Sequence, residues 1–155
     1  MFVGDVHGCL DELEDLARLA GFDRDDEIVL IGDLINKGPD SKGVLDWVRD
    51  NGAKVVLGNH EWKFLHCLET PEEGRTAKQR AFLAQFDDDA ARYGAWISTW
   101  PLWLEWNDLL AVHAGVQPGE RDLHAMSRRV LLTIRTWDGV GENLDRLGDP
   151  AWYDV

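Results

Sequence analysis

Along residues 1–70 the apolar positions come in two alternating spacings. Short runs, Phe2-Val3, Glu27–Ile31 and Val55-Val56-Leu57, end in glycine and polar residues and predict buried strands. Between them Leu10, Leu13, Leu16, Ala17 and Ala20 recur at helical spacing. Asp11 and Glu12 fall in the first turn of that segment, where the helix dipole favours acids, and Gly21 suits a left-handed C-terminal cap. Val44, Leu45, Trp47 and Val48 predict a second helix, capped by Ser41 and closed by Gly52. Phe64, Leu65 and Leu68 suit a third. Strand, polar loop and helix thus follow one another three times, which argues for parallel pairing in an α/β domain. In such a sheet, loops distant in sequence converge at the carboxyl ends of the strands.

The pattern then changes. Glu72 to Arg80 is charged, Asp87-Asp88-Asp89 is an acid run, and Ala-rich helical stretches intervene, so residues 70–98 read as a helical insertion over one face. The acid run reads as a solvated helix start or loop rather than a metal cluster. Apolar and polar residues alternate around Asn107-Asp108, predicting a hairpin of Leu102–Trp106 and Leu109–His113. Trp96, Trp100, Trp103 and Trp106 offer faces for base stacking, but hairpin and core packing is the reading favoured for them. After Gly119 the chain reads as helical through Leu131, with His124 inside that helix, and then as irregular and Gly-rich. No repeat or low-complexity segment is present, and 155 residues suit one domain spanning 1–155.

Composition narrows the class. Lys and Arg number 16 against 29 Asp and Glu, a formal charge of −13. That field argues against a binder of long nucleic acid or of membrane surfaces. Anionic small molecules stay admissible, because a bound divalent ion reverses the local potential. The two cysteines, Cys9 and Cys67, form no CxxC pair, which favours a reducing compartment and a cytoplasmic protein. No stretch is long and apolar enough to span a membrane.

Three polar clusters supply the candidate chemistry. Asp5 and His7 follow the first strand, Asp33 ends the second, Asn59-His60 ends the third, and His113 ends the hairpin. Carboxylate, imidazole and amide oxygen together suit Mn²⁺, Fe or Zn²⁺. Asp33 has two oxygens with which to bridge a pair of ions. Gly4, Gly8, Gly32 and Gly58 stand beside these ligands, where tight turns and close backbone approach favour glycine.

The ordered set Gly4-Asp5-Val6-His7-Gly8, Gly32-Asp33-Leu34-Ile35-Asn36-Lys37-Gly38, Gly58-Asn59-His60-Glu61 and His113-Ala114-Gly115 resembles the calcineurin-like metallophosphoesterases. Within them it is similar to the branch of PPP-type Ser/Thr protein phosphatases and symmetrical diadenosine tetraphosphatases. The resemblance implies an α/β sandwich of two mixed β-sheets flanked by helices, with a di-metal centre at the sheet edge. It also implies that Asp5 and His7 hold one ion, Asp33 bridges, and Asn59 and His113 hold the other, with Mn²⁺ the expected metal. His60 would protonate the leaving group, Lys37 would add positive charge at the phosphate, and Arg135 would approach the phosphate from a later loop. Hydrolysis of a phosphoester or phosphoanhydride by a metal-bridged hydroxide follows.

The departures are informative. The protein-phosphatase pattern carries Asp and Arg where this chain has Asn36 and Lys37. An amide supports an imidazolium less well than a carboxylate does, and Lys is a point charge rather than a fork. Both changes favour a dinucleoside polyphosphate such as diadenosine tetraphosphate as substrate over a phosphoprotein, whereas Glu61 fits protein phosphatases. The family's further metal-binding Gly-His has no counterpart after His113, so the chain is expected to lack the last strands of the fold and one ligand. A non-catalytic remnant or binding module is therefore the third reading.

Overall fold

Three of the apolar runs pair as one parallel sheet. The computed structural model describes residues 1–23 and 25–155 and divides them into two compact units, 1–101 and 102–155. In the first unit β1 (Phe2–Val3), β2 (Val29–Leu30) and β3 (Lys54–Val55) lie in the order β1-β2-β3. Phe2 pairs with Val29 and Val29 with Lys54. The strands are shorter than the runs predict, but the bonding continues past them. Ile31 N–H donates to Val3 O, and Val56 N–H to Leu30 O. Central β2 is fully buried, as its unbroken apolar run requires.

Helices α1 (Leu10–Leu19), α2 (Ser41–Asp50) and α3 (Asn59–Glu69) follow the strands in turn. Phe22 N–H returns to Ala17 O and Gly21 N–H to Arg18 O, a Schellman closure with Gly21 at φ +68°, as its position predicts. The cap of α2 is not Ser41 but Asp40, whose carboxylate accepts from Gly43 N–H at 2.6 Å. Ser41 is instead the first residue of α2, and its hydroxyl accepts from Asn36 N–H at 2.9 Å. Asp40 suits the cap because a carboxylate there also meets the positive end of the dipole.

Residues 71–98 are largely helical: a 3₁₀ turn at Glu72–Gly74 and a stretch Ala84–Asp89, kinked at Asp87 (φ +49°), alternate with α4 (Ala77–Leu83) and α5 (Ala90–Ile97). Phe64 of α3 fastens this segment, with ring centroids 5.6 Å from Phe82 and 4.5 Å from Phe86; Tyr93 lies 5.8 Å from Phe86. Tyr93 Oη also donates to Asp46 Oδ1 of α2 at 2.5 Å. Of the acid run, Asp89 pairs with Arg92 at the surface.

In the second unit β4 (Trp103–Trp106) and β5 (Leu109–Val112) form the antiparallel hairpin around Asn107-Asp108. The later helix is shorter than expected, α6 (Arg128–Thr133), capped by Ser127. His124 therefore lies in a turn rather than in a helix, its ring 5.0 Å from that of Trp103. Asp122 holds this turn by accepting from His124 N–H, a local side-chain bond that competes with helix formation. Val130, Ile134, Trp137 and Leu144 make this unit's own small core. The chain is thus an α/β protein with helices and two sheets, one parallel and one antiparallel.

Candidate metal centre

The first unit brings its polar clusters to one place. Asp33 is 3% exposed, and its carboxylate accepts from His60 N–H at 2.9 Å and from Asn59 Nδ2 at 3.3 Å. Asn59 and His60 do not end a strand, as the sequence suggests; they open α3, with Gly58 as its N-cap. The Asp33 carboxylate therefore sits at the positive end of that helix dipole, where an anion is favoured. Its Oδ2 lies 3.8 Å from His7 Nε2 and 3.8 Å from His60 Nε2, and Asp5 Oδ2 lies 3.5 Å from His7 Nε2. One donor atom each from His7, Asp33 and His60 falls within 4.8 Å of the others.

The backbone here is held in an unusual form. Five described non-glycine residues have positive φ, and four of them are His7 (52°), Asp33 (53°), Asn36 (71°) and Lys37 (73°). Left-handed backbone costs a non-glycine residue about 1–2 kcal/mol, so it persists only where the surroundings over-determine it. Here His7 and Val6 N–H both donate to Asp33 O, Gly8 N–H to Leu34 O, and Gly38 N–H to His7 O.

The main brace is Glu61, which the sequence reading used only to compare branches of the family. Fully buried, its carboxylate accepts from Asp33, Leu34, Ile35 and Gly58 N–H at 2.8–3.2 Å. The bond from Gly58 N–H is the half of a capping box that an N3 Glu supplies, the N-cap glycine having no side chain for the other half, and a Glu three residues after an N-cap glycine is the signal that would have found it. Gly58 must be glycine here, since a Cβ would stand 2.2 Å from Asp33 N and 2.5 Å from Glu61 Oε2. A Cβ at Gly4, by contrast, would meet no protein atom within 4 Å. Burial and the neighbouring Asp33 charge push the Glu61 carboxyl up to about 7, against the downward pull of its N–H donors.

Hydrogen bonding distinguishes the two imidazoles. Lys37 Nζ stands 2.8 Å from His7 Nε2 while His7 Nδ1 faces Ile35 O at 3.4 Å. An ammonium has only donors, so His7 Nε2 presents its lone pair and Nδ1 carries the proton. That is the form in which an imidazole ligates a metal. His60 is the reverse. Asn36 Oδ1 accepts from Lys37 N–H at 2.9 Å, which orients the amide so that Nδ2 donates to His60 Nδ1 at 3.0 Å. The proton of His60 is therefore on Nε2, the nitrogen towards Asp33. Burial, the largest influence, holds His60 down at about 4, against the pull of Asp33.

Two expected residues lie in the second unit. His113 follows β5 directly, and Arg135 is exposed, its guanidinium 3.2 Å from Asp145 Oδ2. Of the other histidines, His66 Nδ1 bonds Trp62 O at 2.8 Å on the exposed side of α3. Trp100 is buried with its ring 5.2 Å from Trp96, in keeping with packing.

Residues 1–152 match the family model described as calcineurin-like phosphoesterase. The chain belongs to this family. Its carboxylate–imidazole donor set is one that a divalent ion fits. Among curated relatives it is 36% identical over 121 residues to the symmetrical bis(5'-nucleosyl)-tetraphosphatase of Vibrio campbellii. It is 37% identical over 123 residues to that of Edwardsiella ictaluri. These alignments take in 75% and 76% of the chain but 44% of each relative, so the calcineurin-like chain spans less than half of their length. A crystal structure of a candidate diadenosine tetraphosphatase superposes with TM-score 0.78 at 28% identity, covering 99% of this chain and 68% of that one. A metallophosphoesterase from Sphaerobacter thermophilus shares the fold, with TM-score 0.56 at 24% identity over 73% of this chain and 45% of that one. No helix among the described residues is long and apolar enough to cross a membrane.

Proposed function

We propose that this calcineurin-like phosphoesterase hydrolyses a phosphoanhydride bond of a dinucleoside polyphosphate with two divalent ions, Mn²⁺ being the expected metal. The observation that supports this best is the Asp33 carboxylate, fixed at the α3 N-terminus between a lone-pair imidazole and an N–H imidazole. Asp5, His7 and Asp33 would hold one ion, and Asp33 and Asn59 would contribute to the other. Bound there, divalent ions supply a nucleophilic water at neutral pH and neutralise phosphoryl charge.

The chain's own groups perform the remaining work. Lys37 Nζ lies beside His7 Nε2, and where that nitrogen held an ion the ammonium would turn from it to steady a phosphoryl oxygen. His60 points Nε2–H inwards, where it would hydrogen-bond a leaving oxygen; to give that oxygen a proton the ring would have to be in its imidazolium form. Asn36 positions that ring by donating to Nδ1. The curated relatives carry the name of tetraphosphatases, which favours a nucleotide substrate over a phosphopeptide. Arg135 is the candidate for a phosphate contact in this reading, and a cytoplasmic setting fits a nucleotide substrate.

The test is turnover of diadenosine tetraphosphate, a phosphoserine peptide and an aryl phosphate by Mn²⁺-loaded protein. Asp33→Asn should lower the diadenosine tetraphosphate rate at least a hundredfold, and the peptide should be the poorest substrate. Equal rates in Asp33→Asn and the parent would refute the centre. Preference for the peptide would transfer the reading to a protein Ser/Thr phosphatase, and no metal-dependent turnover at all would leave a binding module.

A further inference from the structure

A cavity of about 660 Å³ opens beside the candidate centre, between α3 and α4, and its lining includes His60 and Asn36. That size is ordinary for a small-molecule site, roughly 300–1,000 Å³. Trp62, Cys67 and Phe82 give it a largely apolar wall. Its charged lining residues are Lys63 and Lys78, with no carboxylate among the lining residues of a chain that carries 29 acids. Lys63 Nζ also reaches Asn59 Oδ1 at 3.0 Å, so one wall of the cavity leads directly to the candidate metal ligands. The Trp62 ring is set edge-on to His66 at 4.3 Å, which fixes an aromatic surface at the mouth.

An aromatic and apolar wall, a basic rim and an opening onto a phosphate-cleaving centre suit one chemical class. We infer that the cavity binds the nucleoside end of a nucleotide, with its phosphates running past Lys63 and Lys78 towards His60. The inference rests on the phosphoanhydride reading above and deepens it. Because His60 turns its Nε2–H towards the departing oxygen, the nucleoside held here belongs to the leaving nucleotide. Base stacking on an aromatic side chain tolerates any nucleobase, and the lysines add charge attraction that salt weakens. Trp62 and Lys78 are specificity residues in this scheme, and neither touches the Asp33 centre.

The test is an ADP titration of the full 155-residue chain in EDTA, followed by amide and indole N–H shifts in NMR. Pyrophosphate and a phosphoserine peptide serve as competing probes. ADP should shift residues of α3 and α4 around the cavity together with the Trp62 indole, and bind at least tenfold more tightly than pyrophosphate. Trp62→Ala should weaken ADP about tenfold or more, the range expected for a lost base stack. Lys78→Glu, at an exposed position of α4, should weaken it severalfold without risk to folding, and Trp96→Ala should change it less than twofold. Equal affinity for ADP and pyrophosphate, tighter binding of the peptide, shifts elsewhere in the chain, or unchanged ADP affinity in both Trp62→Ala and Lys78→Glu would overturn the assignment. Since EDTA removes the metals, the titration is independent of turnover. Failure of the Asp33→Asn test would refute catalysis and leave the nucleotide cavity standing, and the reverse result would refute only the cavity.

Discussion

Asn36→Asp tests the hydrogen-bond logic of the centre with a change of one atom. In the parent, the amide donates to His60 Nδ1 at 3.0 Å, so the ring cannot take a second proton without setting two donors against each other. With burial, this keeps His60 neutral down to about 4. A carboxylate in the same place accepts from Nδ1–H, removes the donor conflict and adds an opposite charge at hydrogen-bond distance. Such a neighbour raises an imidazole by about 1–3 pH units, which moves the midpoint from about 4 to roughly 5–7. Asp tolerates the left-handed backbone at φ +71° nearly as well as Asn, so the fold should survive. The assay is a histidine ¹H–¹⁵N titration of metal-free protein between pH 4 and 8, with the His60 ring assigned by its loss in His60→Gln. The expected result is a higher midpoint and a proton on Nδ1 near neutral pH. With Mn²⁺, alkyl phosphate turnover should rise relative to aryl phosphate turnover, because only the poorer leaving group needs a proton. A midpoint within half a pH unit of the parent's, with Nδ1 still unprotonated, would show that Asn36 does not set the state of the ring.

The Glu61 brace carries two further expectations. Glu61→Gln leaves one oxygen for four N–H donors and turns an NH₂ group towards two of them, so it should cost about 3 kcal/mol or more in a urea titration, at ~1–3 kcal/mol per unpaired buried donor. A loss below 1 kcal/mol would mean that the loops hold themselves. The second concerns pH in EDTA. His60 folds with its midpoint lowered to about 4 from 6.5, so the unfolded chain binds more protons across that window and stability rises with pH through it. Glu61 folds with its midpoint raised to about 7 from 4.5, so the folded chain binds more protons and stability falls with pH through that window. Each slope amounts to roughly 3 kcal/mol at ~1.4 kcal/mol per pH unit and they oppose each other. His60→Gln should therefore lose stability between pH 4.5 and 7 and Glu61→Gln should gain it, and parallel profiles in the two variants would refute the assignment.

The sequence shows the parts of this structure whose physics is local. Apolar run length and glycine position announce the three parallel strands and their helices, and the Gly21 closure follows from a single glycine after a periodic stretch. The donor types at Asp5, His7 and Asp33 were also visible, because each stands beside a turn at a strand end. What stayed hidden depends on partners distant in the chain. Glu61 reads as an exposed helix-start acid until its four N–H donors, three of them from the Asp33 loop, are known. The direction of the Asn36 amide depends on Lys37 N–H and sets the tautomer of His60, while Lys37 Nζ and Ile35 O set that of His7. Ser41 suits a helix start by type, but its hydroxyl accepts from Asn36 N–H and Asp40 takes the cap, a division set by a partner five residues away. Asn59-His60 read as a strand end because Gly58 signals a turn equally well before a loop or a helix.

The carboxylate that joins four amides from two loops also sets how the protein breathes. Loops at reaction centres usually belong to the least protected part of a molecule, opening long before the core does. Here the amides of Asp33, Leu34, Ile35 and Gly58 all end on one side chain of α3, a helix whose Phe64 is wholly buried in the aromatic core. None of the four can exchange with solvent singly without leaving the others poorly held, so they open as a group, and with the start of α3. The ligand loop and the core are thereby tied together, and hydrogen exchange at these four amides is expected to follow global unfolding rather than local fraying.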